Sequence, residues 1–298
     1  MRKVYGLGET VLDIIFKDIQ PVSAKPGGSV LNAMVSLARL GHSVSFISEL
    51  GNDKVGELVV KFLKDNNIDS TYLQRYEDAQ SALALAFLNE KNDAEYDFYK
   101  NYPEERLNID LPDFQKDDIF LFGSFYAIDS RLRSNILRIV QHAISKGCIV
   151  MYDPNFRKSH AKDLDQLLKY VLNNITSADI VRGSDEDFAN IFGAKTSEDA
   201  YRLVSDRCMN MVYTANANGV YLHTNQLEEK YEVNQIESVS TIGAGDNFNA
   251  GIIHSILKQG ILKQDLKNLT KTQWNNIIES GIQLSAEVCM SLDNYISR

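Results

Sequence analysis

Ser240-Thr241-Ile242-Gly243-Ala244-Gly245-Asp246-Asn247-Phe248-Asn249-Ala250-Gly251 is the stretch on which fold and chemistry turn. Small residues at Gly243, Ala244 and Gly245 let the main chain approach a ligand closely. Phe248, Ile252 and Ile256 recur at i, i+4 and i+8, which predicts a helix with one buried face over 245–259. The first N–H groups of such a helix lack intrahelical partners and stand at the positive end of its dipole. That arrangement suits negative charge developing on a transferring phosphoryl group. Asp246 sits inside the turn, where its carboxylate can take a proton from a hydroxyl. Read alone, the same residues also describe a tight glycine turn with an aspartate N-cap, so the assignment needs further parts.

Working outward, short apolar runs alternate with helical patterns, the pattern of a mostly parallel sheet covered on both faces. The fold class is therefore α/β, a three-layer α/β/α arrangement. Buried strands are expected over 3–8, 44–50, 119–122, 148–152, 179–181 and 209–213, and helices over 30–40, 131–146, 163–174, 184–192, 197–208 and 272–290 as well as 245–259. Two segments break the alternation. Residues 12–19 carry Ile14 and Phe16 on one face, and 81–88 and 96–99 read as strands joined by a polar loop over 89–95. Together they predict a small sheet that covers a ligand site, another subunit, or both, although an edge extension of the main sheet fits the same pattern. The 298 residues thus make a single domain, with lid segments at about 12–25 and 81–101.

Composition removes several classes of function. Net charge is −9, which argues against a nucleic-acid binder. No apolar run reaches the length of a membrane span. Glu9 and Asp13 interrupt the apolar stretch that follows Arg2 and Lys3, so a cytoplasmic protein is expected. Cys148, Cys208 and Cys289 are too far apart in sequence for a metal motif and read as buried free thiols; His42, His142, His160, His223 and His254 form no metal-ligating pair and read as structural or surface residues.

With these parts in place, the chain resembles the ribokinase-like, or PfkB, family of sugar kinases along nearly its whole length. Gly8-Glu9 with Asp13 is similar to the family's opening strand and substrate aspartate. Gly27-Gly28-Ser29-Val30-Leu31-Asn32 resembles its N-terminal signature, and Gly51-Asn52-Asp53-Lys54-Val55-Gly56 its GxDxxG turn. Asp153-Pro154-Asn155-Phe156-Arg157 resembles the DxNxR strand end, and Thr241 to Gly251 the C-terminal signature. The resemblance implies that Asp13 and Asn32 bind sugar hydroxyls, that Gly27 and Gly28 let the backbone approach the sugar, and that Asn155 and Arg157 lie near the site. It implies that N–H groups of Ala244, Gly245 and Asp246 form an anion hole beside the base Asp246, after Gly243 and Thr241. Thr214, Asn218 and Gly219 resemble the turn flanking the nucleotide, with Asn218 and Gly219 equally suited to a structural turn. Asp53 reads as holding its own turn.

Departures from the family pattern sharpen these expectations. Ser240 stands where an aspartate usually helps to bind a monovalent cation, and 291–298 lack the usual Gly-Ala tail, so weak or absent potassium activation is expected. Ser184-Asp185-Glu186-Asp187 replaces the NxxE motif that organises Mg²⁺. Asp187 then acts through water, or Ser184 and Asp187 serve as a helix cap, or both. Tyr99 and Lys100 stand where some relatives carry Tyr and Arg that bind a sugar-acid carboxylate. Lysine lacks the bidentate fork, which favours a neutral sugar such as fructose over 2-keto-3-deoxygluconate, with ribose and nucleosides remaining. Arg182 replaces a common lysine. The resemblance thus implies an enzyme using ATP and Mg²⁺ on a small-molecule sugar, dimerising through its lid. Two rivals are weaker. Gly6-Leu7-Gly8 hints at a dinucleotide turn, but the third glycine position is Val11. A non-catalytic sensor would have no need of Asp246.

Overall fold

Strands that are apolar on both sides must be covered on both sides. The computed structural model describes residues 2–88 and 94–298, so most of the polar loop expected over 89–95, and the side chain of His160, lie outside the described residues. The chain runs β1 (Lys3–Leu7), β2 (Val11–Lys17), β3 (Gln20–Gly27), α1 (Ser29–Arg39), β4 (Ser43–Gly51), α2 (Lys54–Asp65), β5 (Ile68–Asp69), β6 (Leu73–Tyr76), β7 (Gln80–Leu88), β8 (Ala94–Asn101), β9 (Ile119–Gly123), α3 (Arg133–Ser145), β10 (Ile149–Asp153), α4 (Leu164–Ser177), β11 (Ile180–Ser184), α5 (Asp185–Phe192), α6 (Ser197–Val204), β12 (Met211–Thr214), β13 (Val220–His223), β14 (Glu228–Tyr231), α7 (Ala244–Lys258) and α8 (Lys271–Cys289).

The large sheet has ten strands in the order β14-β13-β12-β11-β10-β9-β1-β4-β5, with β6 also on β4. It is parallel from β12 through β4, and antiparallel only at β13 and β14. Alternation along each strand feeds two cores. Ile119 and Leu121 of β9, with Ile149 and Met151 of β10, pack under α1, α2, α7 and α8. Phe120, Phe122, Val150 and Tyr152 pack under α3, α4, α5 and α6. The three layers follow directly. Gly6 belongs to this packing: a Cβ there would lie 2.5 Å from Met34 Cγ on α1. Because β1 leads into another strand and not a helix, the dinucleotide reading of Gly6-Leu7-Gly8 fails.

The sequence did not single out α2. Its N-cap is Asp53, which accepts from Gly56 N–H at 2.7 Å and also from Ser81 N–H at 2.7 Å, so the turn-holding aspartate starts a helix as well. The helix expected over 197–208 stops at Val204, where the N–H groups of Arg207 and Cys208 both close on its carbonyl. All three cysteines are free and buried. His42 bonds His254, His142 bonds the Pro112 carbonyl and His223 bonds Ser197; the described residues contain no cluster able to hold a metal ion. No described helix is long and apolar enough to cross a membrane.

The second sheet has four strands in the order β3-β2-β7-β8. Register assigns its two faces, since directly paired residues share a side. Asp13 pairs with Lys25 and Ala84, and Ala84 with Phe98; Ile15, Ala86 and Tyr96 lie on that same face. Ile14, Leu85, Phe16, Phe87, Leu83 and Tyr99 share the other. On this second face Phe16 stacks on Phe87 at 5.1 Å, while Phe87 and Tyr99 remain 39% and 57% exposed. No helix among the described residues shields these two aromatic rings from solvent.

Candidate active site

Asp246 stands in the first turn of α7, whose N-cap Gly243 adopts φ 84°. A Cβ at 243 would lie 2.5 Å from the Asn294 carbonyl oxygen, so the position requires glycine on both counts. Ala244 N–H closes on Thr241 O at 3.3 Å, whereas the N–H groups of Gly245 and Asp246 have no partner among the described residues. The expected cradle of three amides therefore reduces to two fully free donors and one weakly engaged. Asn32 of α1 donates to Asp246 Oδ2 at 2.8 Å, and its own Oδ1 is buried without a partner among the described residues. Burial pushes the Asp246 carboxyl up to about 6; the Asn32 bond opposes this, Asp153 adds to it, and Arg157 and Arg182 oppose it.

Asp13 reaches the same place from the lid. Only 7% of it is exposed. Burial, then the charge of Asp246, pushes it up to about 7, against Lys25 and a 3.4 Å bond from Asn294. A Cβ on Gly27 would lie 1.9 Å from Asp13 Oδ2, so the glycine makes room for the carboxylate. Gly28, at φ 133° and close against the Glu9 carbonyl, caps α1 and so aims Asn32. Residues from β2, β3, α1 and α7 thus meet at two buried carboxylates of raised proton affinity, that of Asp13 raised in part by Asp246, the electrostatic pattern of a functional site.

Arg182, uninterpreted in the sequence, lies under the turn. It donates to Asp153 Oδ2 at 2.9 Å and to Thr214 Oγ1 at 2.6 Å, and a Cβ on Gly245 would lie 2.7 Å from its Nη1. Asn249 adds a 2.6 Å bond to the same Asp153 oxygen. Two lysine-like contacts are thereby joined in one planar group. Asn155 adopts φ 37° and donates its N–H to Asp153 at 2.9 Å. Arg157 is exposed, and its positive charge is felt at Asp246 and Tyr96.

Other expected contacts are occupied within the protein. Ser184 and Asp187 form a reciprocal capping box, and Asp187 Oδ1 accepts Phe156 N–H at 2.5 Å. Asp187 Oδ2 accepts both the N–H and the hydroxyl of Ser184, at 2.7 and 2.6 Å, so one acceptor position remains on Oδ1. Burial, then Asp153, raises its proton affinity. The Thr214 hydroxyl is taken by Arg182. Gly219, at φ 110°, packs against the Tyr231 carbonyl. Asn218 and Thr241 are exposed. Ser240 accepts from Ile242 N–H at 3.2 Å. An open cleft of about 1020 Å³ lies beside α5 and α6 and shares only Asn218 with the expected nucleotide contacts; neither Asp246 nor Asp13 lines it.

The lid needs one correction. Tyr99 is on the face opposite Asp13, because it pairs with Leu83 while Asp13 pairs with Ala84. Tyr96 occupies the inner face instead, and its hydroxyl senses Asp13, Arg157 and Asp246. Lys100 sits beside Phe98 and is committed to Glu9 at 2.6 Å. Sequence reasoning also missed Asn294, Asn247 and Lys25. The only signal was polarity at sites that pattern makes buried, and that signal is visible for Asn247, which sits within an apolar helix face.

Residues 1–270 match the pfkB family carbohydrate kinases. The chain is 29% identical over 285 residues to a probable chloroplastic fructokinase-6 of Arabidopsis thaliana, covering 89% of this chain and 73% of that protein. It is 28% identical over 261 residues to aminoimidazole riboside kinase of Salmonella typhimurium, covering 86% and 81%. Its fold matches the crystal structure of fructokinase from Vibrio cholerae O395 with bound fructose, ADP and calcium, at a TM-score of 0.83 and 21% identity over 99% of this chain and 94% of that one.

Proposed function

Since the chain belongs to the pfkB family of carbohydrate kinases, we propose that it transfers the γ-phosphate of ATP to a hydroxyl of a neutral sugar, fructose first among them. The observation that carries this reading is the meeting of Asp13 with Asp246, the latter held by Asn32, beside two unpaired amides. In this mechanism the sugar lies between lid and core, held by Asp13 and by the free Oδ1 of Asn32. Asn32 Nδ2 orients Asp246, which takes the proton of the attacking hydroxyl. A carboxylate with its affinity raised to about 6 is still ionised at neutral pH and is a better base than an exposed one. The amides of Gly245 and Asp246, with the field of Arg157, stabilise the phosphoryl group in flight.

Mg²⁺ keeps most of its waters and is held chiefly by phosphate oxygens. Mg²⁺ would neutralise phosphate charge, with Asp187 offering its remaining acceptor position to a metal-bound water. Lys100 favours a neutral acceptor, since Glu9 already satisfies its charge. The fructokinase and riboside kinase relatives support the same choice. The uncovered apolar face of the lid supports a homodimer formed lid to lid. A coupled assay across a dozen neutral sugars, sugar acids and nucleosides tests the substrate: fructose should give the highest kcat/KM. A clear preference for a sugar acid would overturn the neutral-sugar reading, and no turnover with any acceptor would overturn the kinase reading.

A further inference from the structure

We propose that residues 291–298 act as a strap that sets the lid carboxylate Asp13 against the Gly243 turn, with Asn294 as a positioning residue of the reaction; this rests on the kinase reading of the same site. The strap follows α8 and meets three parts of the molecule in eight residues. Its Asn294 is 1% exposed. The Asn294 carbonyl accepts Asn247 Nδ2 at 2.8 Å and lies against Gly243, while Asn294 Nδ2 faces Asp13 Oδ2 at 3.4 Å. Asn247 Nδ2 also bonds the Gly243 carbonyl at 2.8 Å, and its Oδ1 accepts the Ser36 hydroxyl. Ser36 in turn accepts Ile296 N–H at 3.1 Å. On the lid side, Lys25 of β3 reaches the Leu292 carbonyl at 2.6 Å and Asp293 at 3.1 Å.

A tail that merely packed would need only its apolar anchors, Tyr295 and Ile296, each 5% exposed. This one directs both polar ends of Asn294 at site groups, and it draws a lysine from the lid whose side chain is only 11% exposed. Strands β2 and β3 each touch the strap, so withdrawing the lid means breaking the Lys25 bonds and parting Asn294 from Asp13. Asp13 is faced by Asp246 from α7, Lys25 from β3, Tyr96 from β8, and Asn294 and Tyr295 from the strap. Of these, Lys25 and Asn294 are the groups that favour its ionised form.

Asn294→Ala and Lys25→Met test the strap. Each should raise KM for the sugar about tenfold while moving KM for ATP by less than about twofold, and should shift the acid limb of kcat/KM for the sugar upward by roughly half a pH unit. Hydrogen exchange of the ligand-free protein reads the coupling without any substrate: residues 11–27 should exchange about tenfold faster in both variants, with β1 and β4 unchanged. Lys25→Met keeps the apolar anchors, so it answers even where Asn294→Ala folds poorly. An unmoved acid limb together with unchanged exchange over 11–27 overturns the strap. A parent protein that phosphorylates no sugar would overturn the kinase reading alone, because the exchange experiment would still decide the coupling.

Discussion

In the ten-stranded sheet, β9 and β10 send alternate side chains into two helix-covered cores, whereas in the four-stranded lid one face looks onto the carboxylates and the other keeps Phe87 and Tyr99 in solvent. The helix-covered core and the four-stranded sheet each contribute one carboxylate to the same site, yet they do so on different terms. Asp246 is held by a helix anchored on the buried core, through Phe248, Ile252 and Ile256. Asp13 is held on a sheet with only a small apolar cluster of its own, formed by Val11, Ala82 and Ala84. On the proposed mechanism, the base belongs to the densely packed part of the molecule, while the sugar-binding carboxylate belongs to a part whose place must be secured by contacts. Binding and chemistry should accordingly separate when the two are perturbed.

The sharpest break comes at the core end. Asp246→Asn should fold as the parent does, since the Asn32 side chain can turn its amide, yet lose about two orders of magnitude or more in kcat. In the parent, kcat should rise with pH through about 6 and level off above it, as the carboxyl loses its proton; near-parental turnover in the variant would remove the base from Asp246. At the lid end, Asp13→Asn should reduce kcat/KM for the sugar by about tenfold or more, chiefly through KM. The same change should stabilise the protein at pH 8. The folded carboxyl binds its proton up to about 7, against an ordinary value of 3.8, so its stability contribution is present at acid pH and is lost as pH rises through that window. A variant melting a few degrees above the parent at pH 8, and no higher at pH 4, is the expected result. A lower melting temperature at both would show that the charge is fully compensated.

The outer lid face offers a third, smaller effect. Phe87→Glu places a charge on the exposed apolar face and should convert a dimer to a monomer in sedimentation, with kcat changed by no more than about threefold. A parent that sediments as a monomer would detach the face from dimerisation. The smallest effect is expected from the solvent: exchanging K⁺ for Na⁺ should alter kcat by less than about twofold, because Ser240 offers a neutral hydroxyl where a hard cation prefers charged oxygens.

The same contrast governs what could be read in advance. Buried parallel strands appear as near-continuous apolar runs, so the expected 119–122 and 148–152 agree with β9 and β10 to within a residue. The glycine turn before α7 was legible because its residues are consecutive. The lid was legible as a sheet but not as two faces, since a one-residue change of register exchanges them; the resemblance points to Tyr99, whereas Tyr96 faces the site. Arg182 gained a meaning only once Asp153 and Thr214, from two other strands, were beside it. Nothing local marks Asn294, whose partners are set by tertiary structure alone.

The bonds that close the site are among the longest in sequence: Asn32 to Asp246 spans 214 residues, and Asn294 to Asp13 spans 281. Contacts this distant form late in folding, after the loops between them have been closed. During refolding, secondary structure should therefore return well before catalysis does. A half-folded chain would carry every chemical group of the proposed site and still be inert.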